Sequence, residues 1–428
     1  MAIFRDLHPA RCRSRRAAAA VPVVVVGGTL NGLGVVRSLA AGCMPIFLVE
    51  TCRACAAGWS RYATLVRAPT LEGEPLIDAL VGLGARFAHR PVLILTSDPS
   101  ALTVSEHRAR IEPFYRISLP PAHIVRDLAD KCAFQRFAER GGFPVPRGLA
   151  IEDASDIDRL AELSHPIVIK PADKTLVLAG VVDRAVRAES IAESRAAARR
   201  MLARAPGLVA QEWVEGPDCD IFFTLFSCDS RGRLIGSFCG RKLAASPPQT
   251  GSTAICIAAR EEEESLAAET SRFIAGTDYR GLGSLEFKRD ARTGRFLIIE
   301  PTVGRTDWQE EIATLCGVNL PLLTYHAELD GLDGLDGLDG RAEPRTSGSP
   351  GPTPRRRPAP PVAWRASREH EVPRSMGLRK LRVVDGYFRW SDPLPGLYYY
   401  CHERGLKRLW QRTRRFSRPR AARSVTRG

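Results

Sequence analysis

Two apolar runs, Leu282-Gly283-Ser284-Leu285-Glu286-Phe287-Lys288-Arg289 and Phe296-Leu297-Ile298-Ile299-Glu300, flank the polar stretch Asp290-Ala291-Arg292-Thr293-Gly294. Strand-like runs around a charged, glycine-containing turn predict a β-hairpin. Glu286 ends the apolar part of the first strand, and the turn has the length that lays Glu300 beside it. Two adjacent buried carboxylates repel unless something positive lies between them. A hard cation with oxygen ligands, completed by the phosphates of a nucleotide, fits that need.

Upstream lie groups suited to the other half of such chemistry. Lys170 sits in the apolar strand Ile167-Val168-Ile169-Lys170-Pro171, where a charge without a partner costs several kcal/mol. Lys131 lies on a helix that begins near Asp127 and ends at Gly141-Gly142, before the Pro-restricted exit Phe143-Pro144-Val145-Pro146. Gln211-Glu212-Trp213-Val214 ends a further strand and runs through Glu215-Gly216-Pro217 to Asp218 and Asp220. An adenine is expected against Trp213 or Val214, hydrogen-bonded by their backbone, with Asp218 or Asp220 accepting from ribose hydroxyls. As a lone pattern this segment is equally ordinary turn chemistry. Ile221 to Ser227 and Leu234 to Arg241 read as an antiparallel pair.

At the N-terminal end, Val21 to Val26, the glycine turn 27–34 and the helix from Val35 to Ala41 form a βα unit. Ile46 to Glu50 and Val92 to Thr96 add strands, the pattern of a doubly wound sheet. The glycines with Glu50 also suit a dinucleotide fingerprint, so an NAD(P)-dependent oxidoreductase is the competing reading. It lacks an identifiable hydride-positioning site.

The net charge of +14 is local to one end: residues 341–428 carry 22 Lys+Arg against 6 Asp+Glu, leaving 40 basic and 42 acidic residues before them. Nucleic acid is therefore not the expected partner of the body. The 11 cysteines are scattered, and Cys52 and Cys55, the one C-x-x-C pair, have no second pair to complete a zinc site. No apolar run approaches a membrane span, and the arginines before Ala17 precede a first buried strand rather than a secretory core. A cytoplasmic protein is expected, with peripheral membrane or protein contact through the basic, aromatic-containing end. The tandem Asp-Gly-Leu repeat from Asp330 and the Pro/Ser/Arg-rich run to Pro361 read as a disordered linker.

The collinear order of Lys131, Lys170, Gln211 to Asp218, Glu286 and Glu300 behind a Rossmann-like unit resembles the ATP-grasp superfamily over about residues 21–326. Within it the chain is similar to the carboxylate-amine ligases related to D-aspartate ligase. The resemblance implies an α/β and α+β architecture: a Rossmann-like domain (21–125), two α+β subdomains enclosing ATP (126–210 and 211–328), a linker (329–361) and a basic tail (362–428). It implies phosphate contacts from Lys131, Lys170 and Lys242, a hinge at Gln211, Glu212, Trp213 and Val214, and a ribose acid at Asp218 or Asp220. Magnesium or manganese would be held by Glu286, Glu300 and Thr302. Thr302 stands where the family usually has an asparagine, and residues 173–180 offer one glycine where the family has a glycine-rich lid. Arg305, with Asp307, Trp308 and the stretch Gln249-Thr250-Gly251-Ser252-Thr253, is expected on the acceptor side; the same arginine fork suits a substrate carboxylate or developing phosphate charge. Helix capping by Thr306 or Asp307 is the plainer reading of that segment. The substrates implied are a small carboxylate and an amine, amino acids among them. A non-catalytic nucleotide-binding relative is the remaining alternative.

Overall fold

The computed structural model describes residues 20–173, 180–330, 361–371, 381–403 and 405. Of the expected lid, 173–180, residues 174–179 lie outside the described residues, as does nearly all of the expected linker, 331–360.

The first sheet is parallel, in the order β3-β2-β1-β4, from β1 (Val23–Val26), β2 (Ile46–Glu50), β3 (Thr64–Arg67) and β4 (Val92–Leu95). All four valines of β1 are fully buried, Val23 and Val25 in one core and Val24 and Val26 in another. Both faces are covered, so the strand is continuously apolar rather than alternating. Helix α1 (Leu30–Leu39) follows β1 directly.

The second sheet, β5-β8-β6-β7, is antiparallel and joins Gly148–Ile151, Leu208–Glu212, Ile167–Pro171 and Val186–Ala188 in that spatial order. Before it, the single helix expected around Lys131 is two helices, Ala122–Ala129 and Lys131–Arg140. Asp130 leaves helical geometry and its Oδ1 accepts from the Ala133 N–H at 2.7 Å, an N-cap that starts the second helix. Lys131 is thus the first residue of that helix.

The third sheet has seven strands in the order β13-β12-β9-β10-β11-β14-β15. These are β9 (Ile221–Cys228), β10 (Leu234–Ser246), β11 (Ser252–Ala258), β12 (Gly281–Arg289), β13 (Phe296–Val303), β14 (Val362–Arg365) and β15 (Arg382–Asp385). The hairpin of β12 and β13 and the antiparallel pair of β9 and β10 follow the sequence reading.

Its last two strands come from the segment set apart as a basic tail. β14 pairs antiparallel with β11, placing Trp364 opposite Cys256, and β15 runs parallel to β14. Trp364 is 1% exposed and its Nε1 donates to Glu311 Oε2 at 3.1 Å. Arg37 of α1 donates to Gly386 O, Tyr387 O and Asp392, while Arg389 donates to Glu311 Oε2 at 2.8 Å. Asp392 Oδ1 also accepts from the Arg61 N–H and its Oδ2 from Ser60 Oγ, so a buried charge network rivets this segment to the N-terminal sheet.

Candidate active site

A cavity of about 470 Å³ lies where the three sheets converge. Eleven of the thirteen candidate site residues line it: Lys131, Lys170, Gln211, Glu212, Trp213, Val214, Lys242, Glu286, Glu300, Thr302 and Arg305.

The hairpin supplies its floor. Glu286 pairs with Glu300 and Ser284 with Thr302, directly across β12 and β13. Directly opposite residues project from the same face, so the carboxylates and the Thr302 hydroxyl share one surface. A register irregularity follows Glu286. Lys242 of β10 is 2% exposed, and its Nζ donates to Glu286 Oε2 at 2.6 Å. An ion pair this short with one partner withdrawn from water is stronger than a surface pair. Two carboxylates and a hydroxyl are hard oxygen donors of the kind a divalent cation prefers. Among the described residues no group of three or more His, Cys, Asp or Glu side chains forms a metal cage. A cation on the Glu286 and Glu300 pair therefore needs its remaining ligands from a bound substrate, and that suits magnesium, which seldom occupies an all-protein cage.

Lys288, two residues beyond Glu286 and facing the same cavity, was not picked out by sequence reasoning. It is 6% exposed and lies 5.0 Å from the centre of the Trp213 ring, which Arg187 also approaches at 4.6 Å. Burial lowers the Lys288 pKa, against the opposing pull of Asp218, Asp220, Glu215 and Glu286. With these two cations against it, the Trp213 ring is already engaged. Lys170 Nζ donates to Gln211 Oε1 at 3.1 Å, and Gln211 Nε2 donates to Gln135 Oε1 at 2.7 Å. Gln135 in turn donates to Pro146 O, so the lysine in this apolar strand is held by a buried amide chain.

Asp218 and Asp220 do not line the cavity. Asp218 accepts from the backbone N–H groups of Ala245 and Gln249, at 3.0 and 2.8 Å, and so fastens the loop whose residues Gln249 to Thr253 form one wall. Asp220 accepts from Arg289 at 2.7 Å, with Arg241 at 3.8 Å. Both carboxylates have structural partners outside the cavity lining.

Arg305 does line the cavity, but its fork is closed on Asp98, with Nε and Nη2 donating to the two carboxylate oxygens at 2.6 and 2.9 Å and Nη1 to Thr306 O. Burial alone would weaken its charge; Asp98 outweighs that and holds the guanidinium firmly protonated. Among the described residues three of its five N–H donors are occupied, leaving two that face no described acceptor. Asp307 accepts from Ser284, Gln309 and the Trp308 N–H, and the Thr306 hydroxyl donates to Asn31. Arg305, Asp307 and Trp308 line the cavity, whereas the expected cap is not formed: the next helix begins at Glu311, with Glu310 at its N-cap position and no side-chain cap bond.

The glycine turn after β1 is tightly packed, although its Thr29 and Asn31 line the cavity. Glu50, placed by the dinucleotide reading on a ribose, is buried, with Oε2 accepting the Gly28 N–H at 2.8 Å and Oε1 the Thr51 N–H. A Cβ on Gly28 would meet Cys55 Sγ at 2.5 Å, and one on Gly32 would meet Gly27 O at 2.0 Å. These glycines allow the close packing of strand, loop and helix.

No family model matches the chain, and no curated protein matches it by sequence. Solved structures do. N5-carboxyaminoimidazole synthetase from Staphylococcus aureus superposes with a TM-score of 0.58 at 13% identity, over 72% of this chain and 77% of that one. The biotin carboxylase domain of Hydrogenobacter thermophilus 2-oxoglutarate carboxylase, solved with MgADP, ADP and bicarbonate, gives 0.57 at 15% over 72% and 69%. L-amino acid ligase from Bacillus licheniformis gives 0.55 at 16% over 72% and 74%. These neighbours are ATP-grasp carboxylate-amine ligases, and the mixed α/β chain described here has the ATP-grasp fold.

Proposed function

We propose that this chain is an ATP-dependent ligase that joins a carboxylate to an amine through an acyl-phosphate, releasing ADP and phosphate. In this reading the parallel sheet is a Rossmann-like N-terminal unit, and the segments 126–210 and 211–328 are α+β subdomains that hold ATP between them. The observation that carries it is the cross-strand pairing of Glu286 with Glu300, with Lys242 on Glu286, in the same cavity as Lys131, Lys170 and Lys288.

The chain's own groups supply the requirements in turn. The Trp213 N–H is spent on Pro166 O, whereas Val214 N–H has no hydrogen-bond partner among the described residues and is the hinge donor for an adenine. Lys131 starts a helix, where a phosphate balances both its charge and the helix dipole. Lys170, fixed by Gln211, and Lys242, fixed by Glu286, are pre-positioned cations toward the phosphates. Glu286, Glu300 and Thr302 would hold magnesium, which when bound would supply positive charge against the nucleotide phosphates. A substrate carboxylate oxygen attacks the γ-phosphorus as ADP leaves; the amine then attacks the acyl carbon and phosphate departs. The two remaining Arg305 donors suit the carboxylate or the departing phosphate. The L-amino acid ligase neighbour makes amino acids the first substrates to screen.

Thermal unfolding with magnesium-ATP, compared with NAD(H) and NADP(H), tests the reading. A ligand at 100 times its dissociation constant stabilises the native state by about 2.7 kcal/mol. A rise with magnesium-ATP alone is expected, followed by ADP release that requires both a carboxylate and an amine. A rise with a nicotinamide cofactor alone would sink the proposal.

A further inference from the structure

Strand β12 measures out the cavity. Lys288, Glu286 and Ser284 follow one another along it at two-residue steps of about 7 Å each. Lys288 stands beside the Trp213 ring, Glu286 pairs with Glu300, and the Ser284 hydroxyl donates to Asp307 Oδ2 at 3.1 Å. In the ligase reading, on which this inference rests, the base of the nucleotide lies at the Trp213 and Val214 hinge and its phosphates reach Glu286 and Glu300. One further step along the strand leads past the terminal phosphate to Asp307.

Charge is sorted along the same line. Lys131, Lys170, Lys242 and Lys288 line the nucleotide half of the cavity, whereas the side facing the parallel sheet carries two carboxylates, Asp98 and Asp307, against one cation, Arg305. Apart from Asp98, the cavity residues contributed by the parallel-sheet unit, Thr29 and Asn31 among them, are uncharged. Arg305 feels the charge of Asp307, but its Nε and Nη2 are closed on Asp98. Among the described residues the groups that donate to Asp307 are all neutral: the Ser284 hydroxyl, the Gln309 amide and the Trp308 N–H. A carboxylate offers about four acceptor sites, so one is left over with the negative charge unmatched. We propose that Asp307 selects the amine substrate, taking its ammonium group in a charge-assisted hydrogen bond and holding the nitrogen beside the place where the acyl-phosphate forms. After a proton passes to water, the neutral amine still donates N–H to the same carboxylate and attacks from there. The unmatched charge repels a carboxylate from this position, so the two substrates are kept apart.

The test uses the full-length chain with magnesium-ATP. Each proteinogenic L-amino acid serves in turn as the carboxylate. The acceptor is either a second L-amino acid, whose amine arrives as an ammonium, or hydroxylamine, which is uncharged in mildly alkaline buffer and traps an acyl-phosphate as a hydroxamate. Asp307→Asn keeps the volume and one acceptor oxygen but not the charge. Its kcat/KM for the amino-acid acceptor, divided by that for hydroxylamine, should fall at least about tenfold below the parent's ratio, chiefly through KM. Asp307→Glu, which keeps the charge, should retain more of the ratio. Damage to the wall alone would slow both acceptors alike, so an unchanged ratio in Asp307→Asn, or equal loss in the Asn and Glu variants, overturns the assignment while leaving the ligase reading in place. A parent chain that releases no ADP with any of these carboxylates and either acceptor sinks the ligase reading, and the assignment falls with it.

Discussion

Removing either partner of the Lys242 and Glu286 pair should have unequal consequences, because the two are unequally withdrawn from water. The Lys242 side chain is 3% exposed and that of Glu286 29%. Glu286→Leu leaves an ammonium in the wall of the cavity without its partner, a change that costs about 3–5 kcal/mol when a buried pair is broken. Lys242→Met keeps the volume of the stem and leaves a carboxylate that water reaches, so its cost should be about 1 kcal/mol. At roughly 2–4 °C per kcal/mol for a domain of this size, the unfolding temperatures should differ by about 5–10 °C. Both variants should lose turnover by about 10²–10³, the usual effect of deleting one preorganised electrostatic contact. Thermal unfolding of the two proteins without nucleotide, with ADP release assayed in parallel, reads both quantities. Equal destabilisation, or a larger loss from Lys242→Met, would refute the reasoning from burial.

Other expectations concern the remainder of the framework. Asp392→Ala leaves Arg37, 7% exposed, with only the longer ion pair to Glu311 at 3.9 Å and should destabilise the protein by about 1.5–3 kcal/mol in urea unfolding, a loss that an exposed tail would not show. Burial, reinforced by Glu311, pushes Glu310 up to about 8. The folded state then holds a proton that the unfolded state releases, so stability falls as pH rises from about 4.5 to about 8. Glu310→Gln should flatten that slope, measured as unfolding free energy across the window; an unchanged slope would remove Glu310 as its source. Asp98→Asn opens the Arg305 fork, and a KM for the carboxylate substrate that shifts by at least about threefold would show that the clamp sets the arginine's position. An unchanged KM would count against any substrate role for Arg305.

The hairpin was legible because its signals agree: two apolar runs, a turn rich in Asp and Gly, and acidic residues at positions that the register then sets opposite each other. Lys288 carried a readable signal too, since residues two apart on a strand share a face and Glu286 was already placed there. For Asp218 and Asp220 the sequence left two uses open, because a carboxylate beside a hinge serves equally to bind a ribose or to fasten a loop, and sequence spacing does not separate them. The helix break before Lys131 depended on one aspartate acting as a cap. β14 was hidden for a different reason. Its four residues follow a Pro/Arg-rich run, and its partner β11 lies more than a hundred positions upstream, so nothing local marked it as a strand. The aromatics among the arginines left open whether this segment packs back on the body or meets a partner, and burial decides for packing: Arg389 is mostly buried beside Glu311 and the Arg365 side chain is 26% exposed.

The bond between Arg37 and Asp392 spans 355 positions, so the first described helix waits during synthesis for nearly the last described turn. Until that turn arrives, the partially made chain leaves β11 without its neighbour, Glu311 without Arg389 and Trp364, and Arg37 without any of its acceptors. Translation order thereby withholds the completed architecture from truncated products. Chains that terminate early present unpaired charges and an open sheet edge, features that quality-control proteases and chaperones can distinguish from the finished molecule.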